Sequence, residues 1–170
     1  GTAAILLGGR TFHSYFGLGI MEGGVDAVVE RALKHKGIVK RIRKTNLILI
    51  DEISMIGGQE WEAAEQIARK AKGTSLPWGG IRMIAVGDFA QLPPVTKPWC
   101  FLTEKWNETD FSSINLQTIV RSQDAAWNEV LNELRWGKIS DPANDVLQSR
   151  VTIRVVGIHQ IKINIKSVPV

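Results

Sequence analysis

Two short apolar segments of this chain each stop abruptly at acidic residues. Residues 47–50 read Leu-Ile-Leu-Ile and run into Asp51 and Glu52, and residues 83–86 read Met-Ile-Ala-Val and are followed, after one glycine, by Asp88. Short continuous apolar runs are typical of strands buried on both faces of a parallel sheet. Ligands of such sheets bind outside the carboxyl ends of the strands. We therefore expect these acids at one ligand site.

The adjacent carboxylates suit metal-assisted phosphate chemistry. One of Asp51 and Glu52 could hold Mg²⁺ directly or through water, and the other could orient or deprotonate an attacking water. This pattern predicts nucleotide hydrolysis. Two alternatives stay open: a pair of acids that caps a helix or lies in a loop, and a carboxylate-dependent nuclease. The nuclease would need further acids converging on Asp51 and Asp88.

The overall composition limits the class of protein. The chain has 170 residues, 44% hydrophobic and 22% charged, which is enough for one domain with a core. A net charge of +4 is compatible with nucleic acid. The single cysteine, Cys100, excludes an internal disulfide and favours a reducing, intracellular compartment. No apolar run is long enough to span a membrane, so no membrane partner is expected. The chain starts without Met, and we expect it to be part of a longer protein.

Periodicity and capping residues predict an alternation of helices and strands. The expected helices are a short one capped by Thr11 and ending at Gly17, then residues 24–36, residues 59–72, a helix from Asp124 to Gly137, and one with Asp141 at the N-cap and Pro142 at N1. The expected strands are residues 47–50, 82–86 and 116–120. Residues 151–170 alternate branched apolar with polar residues and predict one or two further strands, or an aggregation-prone extension. The class is α/β with a parallel sheet.

The basic residues before the first strand have two interpretations, whereas two tryptophans and one loop have one each. A basic stretch between Lys34 and Lys44 is either a solvated helix end with a loop or a contact patch for phosphates. Trp61 and Trp127 lie on apolar helix faces and are expected in the core. The loop 73–80 is expected at the surface.

Several strings in this chain together resemble the Pif (petite integration frequency) family of superfamily-one DNA helicases. They occur in the family's order, and the Gly-Asp-x-x-Gln-Leu-Pro-Pro string is the most specific of them. The matching segments are Gly1-Thr2-Ala3-Ala4 with Gly9-Arg10-Thr11-Phe12-His13-Ser14 (motif Ia), Leu49-Ile50-Asp51-Glu52-Ile53-Ser54-Met55 (Walker B), Val86-Gly87-Asp88-Phe89-Ala90-Gln91-Leu92-Pro93-Pro94-Val95 (motif III), and Leu116 to Gly137 (motif IV and its helix).

The resemblance implies a fold and a function. Residues 1–150 would form part of a first RecA-like motor domain of the P-loop NTPase class, incomplete at its N-terminus, and residues 151–170 an unmatched tail. The complete enzyme would be an ATP-dependent 5′-to-3′ DNA helicase acting on single-stranded DNA and duplex junctions. Family roles are telomere maintenance, DNA repair and recombination, in the nucleus with the mitochondrion as a second location.

The resemblance also implies residue roles at the nucleotide. Asp51 would hold Mg²⁺, and Glu52 would act on the water that attacks the γ-phosphate. Asp88 and Gln91 would lie at the nucleotide, with Gln91 sensing the γ-phosphate. Arg121 would bring guanidinium charge to the phosphates. The alternative for Gln91 is a loop amide that satisfies backbone groups. The alternative for Arg121 is an ordinary ion-pair partner at the surface.

Three residues of motif Ia would contact DNA. Thr11, His13 and Ser14 would touch the backbone of the single strand, where hydroxyl and imidazole groups bind phosphates without reading sequence. For His13, a capping or packing role remains an equal alternative.

The chain departs from the family pattern in two places. No Gly-x-x-x-x-Gly-Lys-Ser/Thr string occurs in its 170 residues; in the family this loop lies one βα unit before the segment that matches Gly1. The glutamine that usually follows the motif IV arginine is Ser122. We therefore expect the isolated chain to hydrolyse little or no ATP. A non-catalytic remnant that binds nucleic acid weakly is the alternative function.

Overall fold

The computed structural model describes residues 8–118, 120, 122–155 and 161–165. The chain divides into two compact units, residues 1–113 and residues 114–170. The predicted division into residues 1–150 and 151–170 remains a prediction. The two units are defined by contacts within the chain, and such contacts do not locate the boundary of a family match. Among the described residues, no helix is long and apolar enough to cross a membrane.

The first unit begins with three helices that lead into the sheet. They are α1 (Phe12–Phe16), α2 (Gly24–Lys34) and α3 (Lys36–Lys44). Thr11 caps α1 as predicted, because its hydroxyl accepts the Ser14 N–H at 3.3 Å, and Gly17 ends the helix with φ 73°. The interpretation of the basic stretch as a helix end with a loop was wrong, since residues 36–44 form a helix. Ile38 and Ile42, four residues apart, are buried, and this apolar spacing forms a second amphipathic helix.

A parallel pair of strands forms the sheet of the first unit. Strand β1 (Leu47–Ile50) pairs with β2 (Arg82–Ala85), and helix α4 (Gly58–Lys72) lies between them in the chain. The prediction that both faces would be buried was wrong for the described structure. Ile50 lies in the core, whereas Leu47 and Leu49 are about half exposed. The helices of this unit pack on one face only, so alternate side chains stay in contact with solvent.

The core of the first unit centres on α4. Trp61, predicted as a core residue, is fully buried, as are Ala64, Ala68 and Ala71 on the same helix. The loop at 73–80 was predicted at the surface, but Trp78 is buried there. Its indole N–H donates to the Thr109 hydroxyl at 2.9 Å. The Pro77–Gly80 turn is therefore part of the core of the first unit, because its Trp78 side chain is buried there.

The first unit ends with helix α5 (Glu104–Thr109), which Thr103 caps. Before it, the turn Cys100–Leu102 carries the single cysteine. Burial raises the pKa of the Cys100 thiol to about 11, because a thiolate would lose its hydration there.

The second unit contains two packed helices and a hairpin. Helix α6 (Ala125–Arg135) begins after its predicted cap Asp124, and α7 (Asp141–Arg150) packs against it. The cap of α7 is Ser140, not Asp141 as predicted, because the Ser140 hydroxyl accepts the Ala143 N–H. Trp127, predicted in the core, is only half-buried.

The remaining strand predictions had different outcomes. Strands β3 (Val151–Val155) and β4 (Ile161–Ile165) pair antiparallel, in agreement with the alternation of the tail. The strand predicted over residues 116–120 is not formed at residues 116–118 and 120, where Leu116 and Val120 are exposed and no neighbouring strand pairs with them. A strand needs a paired edge to satisfy its backbone groups.

Candidate functional site

The carboxyl ends of β1 and β2 lie side by side. The two strands are in register from Leu47 with Arg82 to Ile50 with Ala85. Beyond the strands, the Val86 N–H donates to the Ile50 carbonyl at 2.8 Å, and the Ile53 N–H donates to the Val86 carbonyl at 3.1 Å. These hydrogen bonds hold the two chain segments together beyond the last paired residues, Ile50 and Ala85. The acids that follow each strand therefore leave the sheet at the same edge.

Asp51 and Glu52 form a turn at the end of β1. The Asp51 Oδ1 atom accepts the Glu52 N–H at 3.0 Å, and both residues are exposed. Glu52 has φ 55° and ψ 48°, a left-handed conformation that is uncommon for a residue with a side chain. Ile53 and Ser54, which follow, are buried and anchor the turn. Strain of this kind is found at functional sites when the surrounding packing maintains it.

Gly87 permits the close approach of the two loops. Its φ is 156°, and a Cβ atom placed there would lie 2.9 Å from the Ile53 backbone nitrogen and 3.5 Å from the Glu52 carbonyl carbon. Only glycine fits a gap of this size without displacing the turn. In the sequence, Gly87 stands out only as part of the motif III string. Its position directly after a strand was the available signal for a close contact.

A second turn presents Gln91. The Asp88 Oδ1 atom accepts the Ala90 N–H at 3.0 Å, and the Asp88 carbonyl accepts the Gln91 N–H at 3.0 Å. The Gln91 side chain is exposed, and it makes no hydrogen bond to the described part of the chain. The interpretation as a loop amide that satisfies backbone groups therefore receives no support. The amide is available to a ligand.

An aromatic cluster holds the Gln91 turn against the first unit. The Phe89 ring lies edge-on to Phe101 at 4.8 Å, to Trp106 at 5.7 Å and to Trp99 at 6.0 Å between ring centroids. Such edge-to-face pairs are stabilising and directional. Sequence analysis did not single out Phe89. The sequence feature that could have indicated this packing is the position of an apolar side chain between the polar residues Asp88 and Gln91.

The motif Ia residues lie on another element, α1. Thr11, His13 and Ser14 are exposed, and His13 makes no side-chain hydrogen bond among the described residues. The packing interpretation of His13 therefore receives no support, and the helix cap is Thr11. Arg41 of α3 donates to the carbonyls of Ser14 and Tyr15, which joins α1 to α3.

The structure thus places the segments that follow β1 and β2 at one edge of the sheet, and these segments carry four of the predicted site residues: Asp51, Glu52, Asp88 and Gln91. It keeps the motif Ia residues on a separate element of the same unit. Arg121 and the segment Gly1 to Ala4 lie outside the described residues. Among the described residues, no group of three or more His, Cys, Asp or Glu side chains is arranged to hold a metal ion.

Comparison with known proteins decides the family. The sequence profile of the PIF1-like helicase family matches residues 1–145. This chain belongs to the PIF1-like helicase family. The ATP-dependent DNA helicase Pif1 of Bdellovibrio bacteriovorus is 50% identical over 155 residues, which are 89% of this chain and 35% of that protein. The ATP-dependent DNA helicase RRM3 of Saccharomyces cerevisiae is 36% identical over 147 residues, 82% of this chain and 20% of that protein.

Solved structures of PIF1-like helicases share the fold. The crystal structure of Pif1 helicase from Candida albicans superposes with a TM-score of 0.82 at 34% identity, covering 92% of this chain and 37% of that one. Pif1 helicase from Bacteroides in complex with ADP-AlF3 and ssDNA gives 0.74 at 26% identity, covering 92% and 39%. The predicted α/β, RecA-like class is confirmed. The chain spans about a third of the length of the bacterial relative.

Proposed function

We propose that this chain supplies the carboxylate and glutamine part of the ATP site of a 5′-to-3′ DNA helicase. The complete protein would couple Mg·ATP hydrolysis to movement along single-stranded DNA and to unwinding of duplexes. The observation that carries this proposal is the shared edge of β1 and β2. There the Asp51–Glu52 turn follows β1 and the Gln91 turn follows β2, and Asp51, Glu52 and Gln91 are exposed.

The site residues have distinct proposed roles. Asp51 fits as a ligand of Mg²⁺, because this ion keeps several waters and substrate phosphates and needs only one or two protein carboxylates. Bound there, Mg²⁺ would neutralise charge on the phosphate oxygens. Glu52 would take up the proton of the attacking water, since its carboxylate makes no hydrogen bond to the described residues. Gln91 would contact the γ-phosphate through its exposed amide.

Further contacts follow from the family match. Asp88 would lie at the nucleotide beside Gln91, and Arg121 would bring positive charge to the phosphates. Thr11, His13 and Ser14 would contact the backbone of single-stranded DNA from α1. The Bacteroides relative was crystallised with ADP-AlF3 and ssDNA, which supports both ligands. We extend the proposal to telomere maintenance, DNA repair and recombination, in the nucleus or the mitochondrion.

A chimeric enzyme would test this proposal. The matching segment of the Bdellovibrio Pif1 helicase, at 50% identity, would be replaced by residues 1–150 of this chain. We expect DNA-stimulated ATP hydrolysis in the chimera. Glu52→Gln should lower its turnover by roughly 10²- to 10⁴-fold, the usual contribution of a general base. Gln91→Ala should lower turnover and uncouple it from unwinding. The exposed Glu104 of α5 offers a matched control, and Glu104→Gln should leave turnover unchanged.

The same experiment separates the alternative function. The alternative is a non-catalytic remnant that binds nucleic acid weakly. A folded chimera with no turnover would support the remnant and defeat the helicase proposal. The isolated chain should hydrolyse little or no ATP, and DNA-stimulated turnover that Glu52→Gln abolishes would contradict this. The described residues show no converging acids that would favour a nuclease.

A further inference from the structure

Helix α3 carries a row of lysines on one exposed face. Its sequence, Lys36 to Lys44, contains no acid, and its apolar residues Ile38 and Ile42 point into the core. Lys36, Lys40 and Lys44 follow each other at intervals of four residues and are all exposed. At about 1.5 Å of rise per residue, the row is about 12 Å long. We call these three residues the lysine row.

The lysine row has no internal partner. None of its three ammonium groups makes an ion pair or hydrogen bond with the residues that the structure describes. Neighbouring cations behave differently, since Arg43 donates from Nε to the Ala71 carbonyl at 2.9 Å and Lys34 pairs with Glu30 at 2.6 Å. Like charges four residues apart on a helix repel each other. The fold itself therefore does not explain the row.

The lysine row borders a shallow cavity. Its volume is about 370 Å³, and its lining combines the row with apolar side chains from α2 and α3 and one arginine: Leu33, Val39 and Arg43. A concave surface with an apolar floor and a cationic rim can receive the sugars and phosphates of a polyanion. Ammonium groups bind phosphates as point charges, without reading the base sequence.

The row is physically connected to the proposed DNA contact on α1. Arg41, between Lys40 and Ile42 on α3, donates to the carbonyls of Ser14 and Tyr15 and lies over the Tyr15 ring at 5.0 Å. The Tyr15 hydroxyl also bonds with that of Thr45, which ends α3. The element that carries Thr11, His13 and Ser14 is therefore fixed to the helix that carries the lysines. A nucleic acid held at α1 would therefore contact an element that is joined directly to α3.

We infer that the lysine row, with Arg43, is a second docking site for the phosphate backbone of nucleic acid, separate from the motif residues. This inference rests on the proposed DNA-dependent function. The hydrogen bonds that join α3 to α1 favour nucleic acid over an acidic protein segment as the occupant of this surface. Binding at the row should be independent of sequence and strongly dependent on salt.

Binding of DNA by the 170-residue chain would test the inference. The probe is a labelled single-stranded oligonucleotide of mixed sequence, titrated without nucleotide. The triple variant Lys36→Gln, Lys40→Gln, Lys44→Gln should bind at least about 10-fold more weakly, and the slope of log affinity against log salt should fall by about 2. Glutamine keeps the helix propensity of lysine, so α3 should remain folded.

A matched variant controls for overall charge. Lys70→Gln, Lys97→Gln, Lys138→Gln removes the same charge from exposed positions outside the row, and its affinity should change far less. Acetylation of lysines with and without the oligonucleotide locates the contact, because DNA should protect Lys36, Lys40 and Lys44 but not Lys70. Equal losses in the two triple variants, or no protection of the row, would overturn the inference.

Three further outcomes are informative. If polyglutamate displaces the oligonucleotide and protects the row equally well, the assignment to nucleic acid is overturned. If the wild-type chain does not bind DNA at all, the docking site fails, while ATP turnover of the chimera still tests the proposed function separately. If wild type binds and the row variant binds equally well, the docking site alone fails.

Discussion

Glu65 and Glu52 show how the same side chain serves different ends in two regions of this unit. Glu65, on α4, is 1% exposed. Its Oε1 atom accepts from Arg69 Nη2 at 2.7 Å and Nε at 2.9 Å, and from the Trp78 backbone N–H at 3.0 Å. Glu52, at the sheet edge, is exposed, has a left-handed backbone and makes no side-chain hydrogen bond among the described residues.

Glu65 carries a carboxylate that the fold pairs with other groups, whereas Glu52 carries a carboxylate that is available to a ligand. A buried carboxylate must be paired with a cation or with hydrogen-bond donors, because the loss of its hydration otherwise strongly destabilises the folded state. Glu65 is paired through its Oε1 atom, which also links α4 to the Trp78 turn, whereas its buried Oε2 atom has no hydrogen-bond partner among the described residues. Glu52 keeps its hydration and remains free to meet a cation or a water. We therefore expect substitutions around Glu65 to change stability, and substitutions around Glu52 to change chemistry.

The largest expected effect on stability is at Arg69. Arg69→Met should lower the free energy of unfolding by about 3–5 kcal/mol, because it leaves the buried Glu65 carboxylate without its cation. Urea unfolding followed by tryptophan fluorescence would measure this. The exposed neighbour Lys70 is the control, and Lys70→Met should stay close to wild type. A loss below about 1 kcal/mol at Arg69 would show that Glu65 is satisfied in another way.

The next effect concerns Cys100, another buried ionisable group, whose pKa is raised to about 11 from 9.0. The unfolded chain loses this proton first, so its contribution to stability is complete below pH 9.0 and is lost as pH rises toward 11. The loss should reach about 2–3 kcal/mol. Urea unfolding of wild type and Cys100→Ala across this range would isolate it, since all other groups cancel. Parallel profiles for the two proteins would contradict the prediction.

At the sheet edge, Gly87→Ala should lower the free energy of unfolding by about 1–3 kcal/mol, because the new Cβ meets the Ile53 backbone in an unfavourable conformation. Gly73→Ala is the control: its φ is also positive, at 68°, but nothing lies near its Cβ position. The difference between the two variants measures the close contact. In the chimera, Gly87→Ala should also lower ATP turnover. Equal stability losses for the two glycines would remove the argument for this contact.

The smallest effect should have the opposite sign. Glu52→Asn should raise the free energy of unfolding by up to about 1 kcal/mol, because asparagine tolerates the left-handed backbone better than glutamate. Thermal unfolding would detect this gain, while turnover of the chimera should fall. Glu52→Gln keeps the strain and should leave stability unchanged. A destabilising Glu52→Asn would indicate that the carboxylate supports the fold.

Several local features followed directly from neighbouring residues. The cap at Thr11, the end of α1 at Gly17, both strands of the parallel pair and the burial of Trp61 were predicted correctly. Each depends on short-range periodicity or on a single capping hydrogen bond. The family followed from the Walker B and motif III strings, because their residue types and order are specific.

Other features depended on contacts between distant segments. Trp78 is buried because Thr109 and α4 surround it, and nothing near it in the sequence indicates this. Leu47 and Leu49 are exposed because the helices cover one face of the sheet. The inward turn of Phe89 depends on rings at Trp99 and Trp106.

The amino-acid sequence by itself determined most of the helices and strands, their order, the family and the set of candidate residues. It predicted neither helix α3 nor the absence of a strand at residues 116–118 and 120. Their types and short spacings carry that information. Tertiary structure decided which charges are paired and which are free, as the contrast of Glu65 with Glu52 and with the lysine row shows. That distinction depends on burial and on partners brought together by the fold, and neither is a property of the local sequence.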